Sequence, residues 1–281
     1  MSDIAVSGAD GAVTGRFAGA VSDSVALVER QMRQLKRTPE QLITLTLMPA
    51  VFVIVFGFLF GSAMKVPGGM NYQEYIMAGI FVQVVLGNVG LTAMGVVTDL
   101  HNGLMDRFRS LPISRSAVLI GRTTSDVIVV AWSFLLMSVI GYAIGWRTHE
   151  GFLSMLAGFG LLLLLAFATS WLGALLGLVL RNAPAVNGVS AVIVMPMSFL
   201  SNAYIPLDGL PGWMQEIAGW NPVSAVVLAS RKLFGNAAPT SADQTFPMQH
   251  PVPMALILTV ALIAVAVPLA TRAFEKSAAK K

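Results

Sequence analysis

Residues 152–180 read FLSMLAGFGLLLLLAFATSWLGALLGLVL, a stretch without a single aspartate, glutamate, lysine or arginine. A helix rises 1.5 Å per residue, and a bilayer hydrocarbon core of about 30 Å needs about 20 apolar residues to cross it. This segment therefore spans a membrane, with enough length left to tilt or break. Outward from it, five more stretches have the same character, at about residues 43–64, 75–97, 123–146, 185–205 and 252–270. They are continuously apolar rather than alternating, which disfavours a transmembrane barrel. Hydrophobic residues make up 56% of the 281 positions and charged ones 11%, against about 25% charged in soluble domains. The expected fold is an all-α membrane protein with six transmembrane helices.

The basic residues set the orientation, because cytoplasmic loops retain lysine and arginine. With the N-terminus inside, only Lys65, Arg147, Arg231 and Lys232 of the 18 basic residues fall outside. Both termini are therefore expected in the cytoplasm. Residues 1–20, small and polar with Asp3 and Asp10, lack the positive start and apolar run of a signal peptide. They read as a disordered cytoplasmic tail. Residues 21–271 read as one transmembrane domain and 272–281 as a basic cytoplasmic tail. The net charge of +4 is spread along membrane flanks, so a nucleic-acid partner is not expected. With no cysteine, disulfides and thiolate metal sites are excluded, and no metal site is expected.

Two cytoplasmic elements stand apart from the spans. Val21, Val25, Val28, Met32 and Leu35 recur at helical spacing, with Glu29, Arg30, Arg33 and Lys36 turned away. Such a helix either lies in the inner membrane interface or packs against its own protein, and Pro39 marks its end or kink. Between the second and third spans, Leu100, Leu104, Phe108 and Leu111 fall on one helical stripe flanked by Asp106, Arg107 and Arg109. Pro112 stops that helix, and Ser114 is placed to cap the next one. Lipid anchoring explains the arginines alone, whereas docking of a cytoplasmic partner also explains the stripe and its sharp stop. Arg122 and Asp126, one turn apart, suit a local ion pair at the membrane entrance.

The last outer loop, residues 206–251, is too long for a connector. It carries an apolar run with Trp213 and Trp220, then Asn221 and Pro222 and a further helical run to Leu233. Two short helices fit it, either dipping into the outer face while buried against protein or lying at the interface on their tryptophans. Inside the spans, Gly57/Gly61, Gly141/Gly145 and Gly173/Gly177 have the spacing that permits close helix approach. Asn187, Ser190, Val194, Met197 and Ser201 line one stripe of the fifth span, and Asn88 and Thr92 share a face of the second. These polar positions either line a solute path or bridge helices by hydrogen bonds.

Chemistry within the chain is poorly supported. There is no G-x-x-x-x-G-K-[ST] phosphate loop, the three histidines lie in loops or near span ends, and no embedded nucleophile and base pair up. An ion-coupled carrier would have to be built on Asp126, the one acidic candidate inside a span, beside Arg122.

The amphipathic N-terminal helix, the six spans, GLMDRFRSLPISRSAVLIGR at 103–122 and LPGWMQEIAGWNPVSAVVLASRKLFG at 210–235 together resemble the membrane subunit of ABC-2 type transporters. Within these, the likeness is to the daunorubicin/doxorubicin-resistance permeases of actinobacteria, and it covers nearly the whole chain after about residue 20. The resemblance implies an exporter permease in a bacterial plasma membrane, paired with a second permease, identical or not, and with two ATPase subunits on separate chains that hold ATP and magnesium. This chain would bind no cofactor itself. By the same resemblance, Leu104, Asp106, Arg107, Phe108, Arg109, Leu111 and Pro112 form the coupling helix seated on the ATPase. Asn88, Thr92, Asn187, Ser190, Met197 and Ser201 are candidates for the path, and Trp213, Trp220, Asn221 and Pro222 for an outer gate.

Overall fold

A computed structural model describes residues 39–61, 66, 69–102, 115–238 and 245–279. The coupling-helix residues Leu104, Asp106, Arg107, Phe108, Arg109, Leu111 and Pro112, and the amphipathic stretch ahead of Pro39, lie outside them. The described residues are helical and contain no strand: α1 (Pro39–Leu59), α2 (Tyr72–His101), α3 (Arg115–Ile144), α4 (Phe152–Leu180), α5 (Ala183–Phe199), a 3-10 turn (Leu207–Gly209), α6 (Gly212–Trp220), α7 (Pro222–Phe234), α8 (Phe246–Gln249) and α9 (Pro251–Ala279). Four of them, α2, α3, α4 and α9, are long and apolar enough to cross a membrane, and the apolar helices Leu47–Leu59 and Ala183–Phe199 are shorter.

Helix α2 is the centre of the bundle. In its most apolar window 67% of residues are buried, against 17% for α9, so α2 meets protein on most sides while α9 turns much of its surface outward. Helices α1, α3, α4, α5 and α7 all pack on α2, and α9 closes over α4 and α7. Large apolar side chains such as Leu135, Val139, Val192, Ile257 and Val265 remain exposed. In water that would be costly; against lipid it is the favourable arrangement. Several serine and threonine hydroxyls inside the helices donate to carbonyls one turn back, as from Ser125 to Gly121 and Thr259 to Ala255, so these bring no unmet polar group into hydrocarbon.

One of the three glycine pairs is a helix crossing. A Cβ built on Gly173 would stand 2.6 Å from the Val89 carbonyl oxygen, and one on Gly177 2.5 Å from that of Ala93. Helix α4 thus lies backbone to backbone on α2. Gly141 faces Met77 and Trp146, Gly57 has only Gln73 and Ile144 at 3.8 Å, and Gly145 (φ 113°) ends α3 in a conformation open to glycine.

The fifth apolar segment is shorter as a helix than its hydropathy predicts. Helix α5 stops at Phe199, and residues 200–205 form a turn in which Ser201, Asn202, Ala203 and Tyr204 are buried. Pro196 sits in the last turn of the helix, Ser201 Oγ accepts from the Ala203 amide, and the Asn202 and Ala203 carbonyls point at a guanidinium from α7. Those carbonyls have left the helical ladder because a charged donor meets them. At the other end of the chain, α9 runs on through Ala279, so Arg272 and Lys276 lie on a continuous helix, with Lys276 in its last turn where a cation suits the helix dipole.

Candidate functional site

At the end of the bundle where α2 begins and α5 finishes, α6 and α7 form a hairpin, and its two arms differ. Helix α6 leaves Trp213 and Trp220 63% and 57% exposed. Helix α7 is driven into the bundle: Val223, Ser224, Ala225, Val226, Val227, Ala229, Ser230, Arg231 and Phe234 are all buried, against α2, α4 and α9. The two helices of the hairpin thus differ: α7 is buried against protein, while α6 turns its tryptophans outward.

The Asn221-Pro222 pair joins the hairpin to α5. The Asn221 side chain accepts from the Val223 amide at 2.9 Å and caps α7. Its amide donates to the Met197 and Leu200 carbonyls at 2.8 and 2.6 Å, two acceptors that the end of α5 leaves open. Pro222, in the first turn, needs no amide partner there.

Arg231 is the residue that sequence reasoning passed over. Counted only as one of four basic residues on the outer side, it is 2% exposed. Nε donates to the Tyr75 carbonyl at 2.8 Å, and Nη2 to those of Asn202 and Ala203 at 2.8 and 3.2 Å. Its carbon Cζ lies 3.5 Å from the centre of the Tyr75 ring. Among the described residues no carboxylate pairs with it, so carbonyl dipoles and an aromatic face carry the charge. Tyr75 and Tyr72 extend the cluster, their hydroxyls donating to the Asn202 and Tyr204 carbonyls at 3.0 and 2.9 Å. Phe52, Phe56 and Phe60 of α1 and the turn after it stack beside Tyr204 and Tyr72. A guanidinium in an otherwise apolar helical run was the available signal, since an ionisable residue at such a place is expensive unless it has a task.

The path candidates fall into two groups. Asn88 and Thr92 are buried. Asn88 donates to Ser170 Oγ at 3.1 Å and Thr92 to Asp126 at 2.7 Å, so both fasten α2 to a neighbour. Ser201 is buried and bonds the Ser198 carbonyl. Asn187 is exposed, Met197 half-buried, and Ser190 is buried with no hydrogen-bond partner among the described residues. Ser198, beside them, donates to Gln83 at 2.7 Å. Asp126 and Arg122 do not form the expected intrahelical pair; Arg122 crosses to Asp99 on α2, above Gly95, which leaves room for the guanidinium.

The described residues form a bundle of apolar helices with a hairpin that Asn221 and Arg231 pin to one end. The profile of the ABC-2 type transporter family matches residues 23–234. The chain belongs to this family. Similar proteins include the daunorubicin resistance ABC transporter permease protein DrrB1 of Streptomyces coeruleorubidus, 34% identical over 79% of this chain and 78% of that protein. A protein of Mycobacterium tuberculosis named as a probable doxorubicin resistance ABC transporter permease, DrrC, is 24% identical over 75% of this chain and 76% of its own length. As an ABC-2 permease, the chain is a transmembrane component and is not catalytic alone.

Proposed function

We propose that this chain is the permease subunit of an ATP-driven ABC-2 exporter for a hydrophobic or amphipathic solute, drug or lipid-like. The observation that carries the reading is the family match across residues 23–234, in a chain without a phosphate loop of its own. Two copies of a separate ATPase bind ATP and magnesium, and a second permease completes the path. Six segments cross the bacterial plasma membrane with both termini inside, α1 and α5 being the two shorter crossings. Helix α7 closes the outer end, buried against protein as non-spanning helices at membrane depth must be. Asn187, Ser190 and Met197 on α5 face the solute, with Asn88, Thr92 and Ser201 holding the walls behind them. The names of the relatives DrrB1 and DrrC support an anthracycline-like solute as the first to assay. A carrier built on Asp126 is disfavoured, because that carboxylate already accepts from Thr92.

Coupling is assigned to Leu104, Asp106, Arg107, Phe108, Arg109, Leu111 and Pro112, with Phe108 as the aromatic anchor in a cleft of the ATPase. Truncating such an anchor costs ~2 kcal/mol or more, or about 30-fold in affinity. Phe108→Ala is expected to reduce co-purification of the ATPase by that order while the permease stays in the membrane. Arg107→Ala and Arg109→Ala, at a solvated rim, should act more mildly and mainly at low salt. A Phe108→Ala permease that binds its ATPase and transports at the wild-type rate would remove the docking role.

A further inference from the structure

An apolar groove of about 800 Å³ runs between α3 and α4, away from α5 and from the polar positions assigned to the path. Leu135 and Val139 line it from α3, and Phe159 and Leu163 from α4. Its wall on α3, from Ala131 to Tyr142, is about 16 Å long at 1.5 Å per residue, close to half the ~30 Å hydrocarbon core. The groove therefore has the depth of one leaflet, and its volume lies in the range of sites that enclose a small molecule.

Its mouth carries a fixed cation. Arg147 Nη1 donates to the Tyr142 and Trp146 carbonyls at 2.6 and 2.7 Å, and Cζ sits 3.6 Å from the Tyr142 ring centre. The guanidinium is thus held in place while Nε and Nη2 have no partner among the described residues, and no described carboxylate pairs with it. A planar fork with two donors to spare is suited to a phosphate. The Thr148 hydroxyl, also at the mouth, has only a weak contact with Met155 sulfur at 3.9 Å.

We infer that the α3/α4 groove is a binding site for one anionic phospholipid, an acyl chain lying along Leu135, Val139, Phe159 and Leu163 and the headgroup phosphate on Arg147. Charge complementarity selects an anionic lipid over a second copy of this chain. The mouth is also joined to the hairpin. Asn236 donates to the Arg147 carbonyl at 2.9 Å, and the His149 amide to the Phe234 carbonyl at 2.9 Å, so an occupied headgroup site braces the C-terminal end of α7.

The test uses full-length permease released from nanodiscs of equal phosphatidylglycerol and phosphatidylcholine, with retained lipid counted by native mass spectrometry. Wild type is expected to keep one phosphatidylglycerol per chain, preferred about fivefold or more, the worth of one basic residue toward an anionic headgroup. Arg147→Gln should abolish the preference and Arg147→Lys keep part of it. Ser138→Trp, which fills the groove and leaves the cation, should remove the bound lipid whatever its headgroup. An unchanged preference in Arg147→Gln, or a retained lipid in Ser138→Trp, overturns the site. So does a disulfide between copies of Ser138→Cys, in a chain with no other cysteine, because a second permease would then cover the groove. None of these readouts involves the ATPase, so failure here leaves the export reading standing.

Discussion

Replacing Arg231 by methionine is expected to destabilise the permease more than any other single change at the hairpin end of the bundle. The side chain is buried; methionine replaces its stem out to about Nε, so packing along the stem is kept while the guanidinium's volume, its charge and three hydrogen bonds are lost. The Tyr75 and Ala203 carbonyls lose their Arg231 donor, and Asn202 keeps only the Tyr75 hydroxyl. Hydrogen bonds to a charged group contribute about 1.5–3 kcal/mol each, and a buried acceptor left unmet costs ~1–3 kcal/mol. The sum is not additive, and since removing the arginine leaves no unpaired charge behind, a net loss of about 3 kcal/mol is expected. For a chain of this size that lowers the melting temperature by roughly 10 °C, read by size-exclusion after heating detergent-purified protein. Arg231→Lys should recover little, since an ammonium cannot reach three diverging carbonyls from one point and lie flat over the Tyr75 ring. Lys232→Met, at an exposed neighbour, should change the melting temperature little, with surface substitutions worth about ±0.5 kcal/mol.

The second large effect is expected at the crossing of α2 and α4. A leucine at Gly173 would place its Cβ 2.6 Å from the Val89 carbonyl oxygen and 2.9 Å from Thr92 Cβ. Backbone cannot swing aside as a side chain can, so the helices must separate. Separation stretches the Asn88 to Ser170 hydrogen bond one turn away and disturbs the Thr92 bond to Asp126. Overpacking costs ~1–3 kcal/mol where neighbours can adjust, and the upper end or beyond is expected here, seen as loss of folded protein in membranes. Gly160→Leu is the control. It lies on the same helix, is exposed, and a Cβ there meets nothing within 4 Å; it should express at the wild-type level.

The two sites also mark what the sequence could and could not reveal. The Gly173/Gly177 spacing was legible as close packing, but so were two other pairs. Only the fold tells that α2 lies against this one, while Gly57 has room and Gly145 ends a helix. The spans around residues 75–97, 123–146, 152–180 and 252–270 were legible because long apolar runs follow directly from the thickness of a bilayer. The end of α5 was not, because residues 200–205 contain neither glycine nor proline to mark a break and leave the helical path through contacts with Arg231, Asn221 and Ser201. The same holds for Arg231 itself: positive residues were read as markers of the aqueous side, and this one is satisfied by carbonyls far away in sequence. Asn221 and Pro222 were recognised as a pair, yet the two carbonyls of α5 that Asn221 binds are a tertiary fact. Arg122 illustrates the reverse error, in which i, i+4 spacing suggested a partner on its own helix and the bundle offered Asp99 instead.

The central claim is that this chain moves solute only when a separate ATPase drives it. The direct measurement is doxorubicin movement across proteoliposomes that hold the permease alone or the permease with its co-purified ATPase, with and without ATP, and under imposed proton or sodium gradients. ATP-dependent movement that needs both proteins and ignores the gradients is the predicted result. Gradient-driven movement by the permease alone, lost on Asp126→Asn, would contradict it and make the chain an ion-coupled carrier.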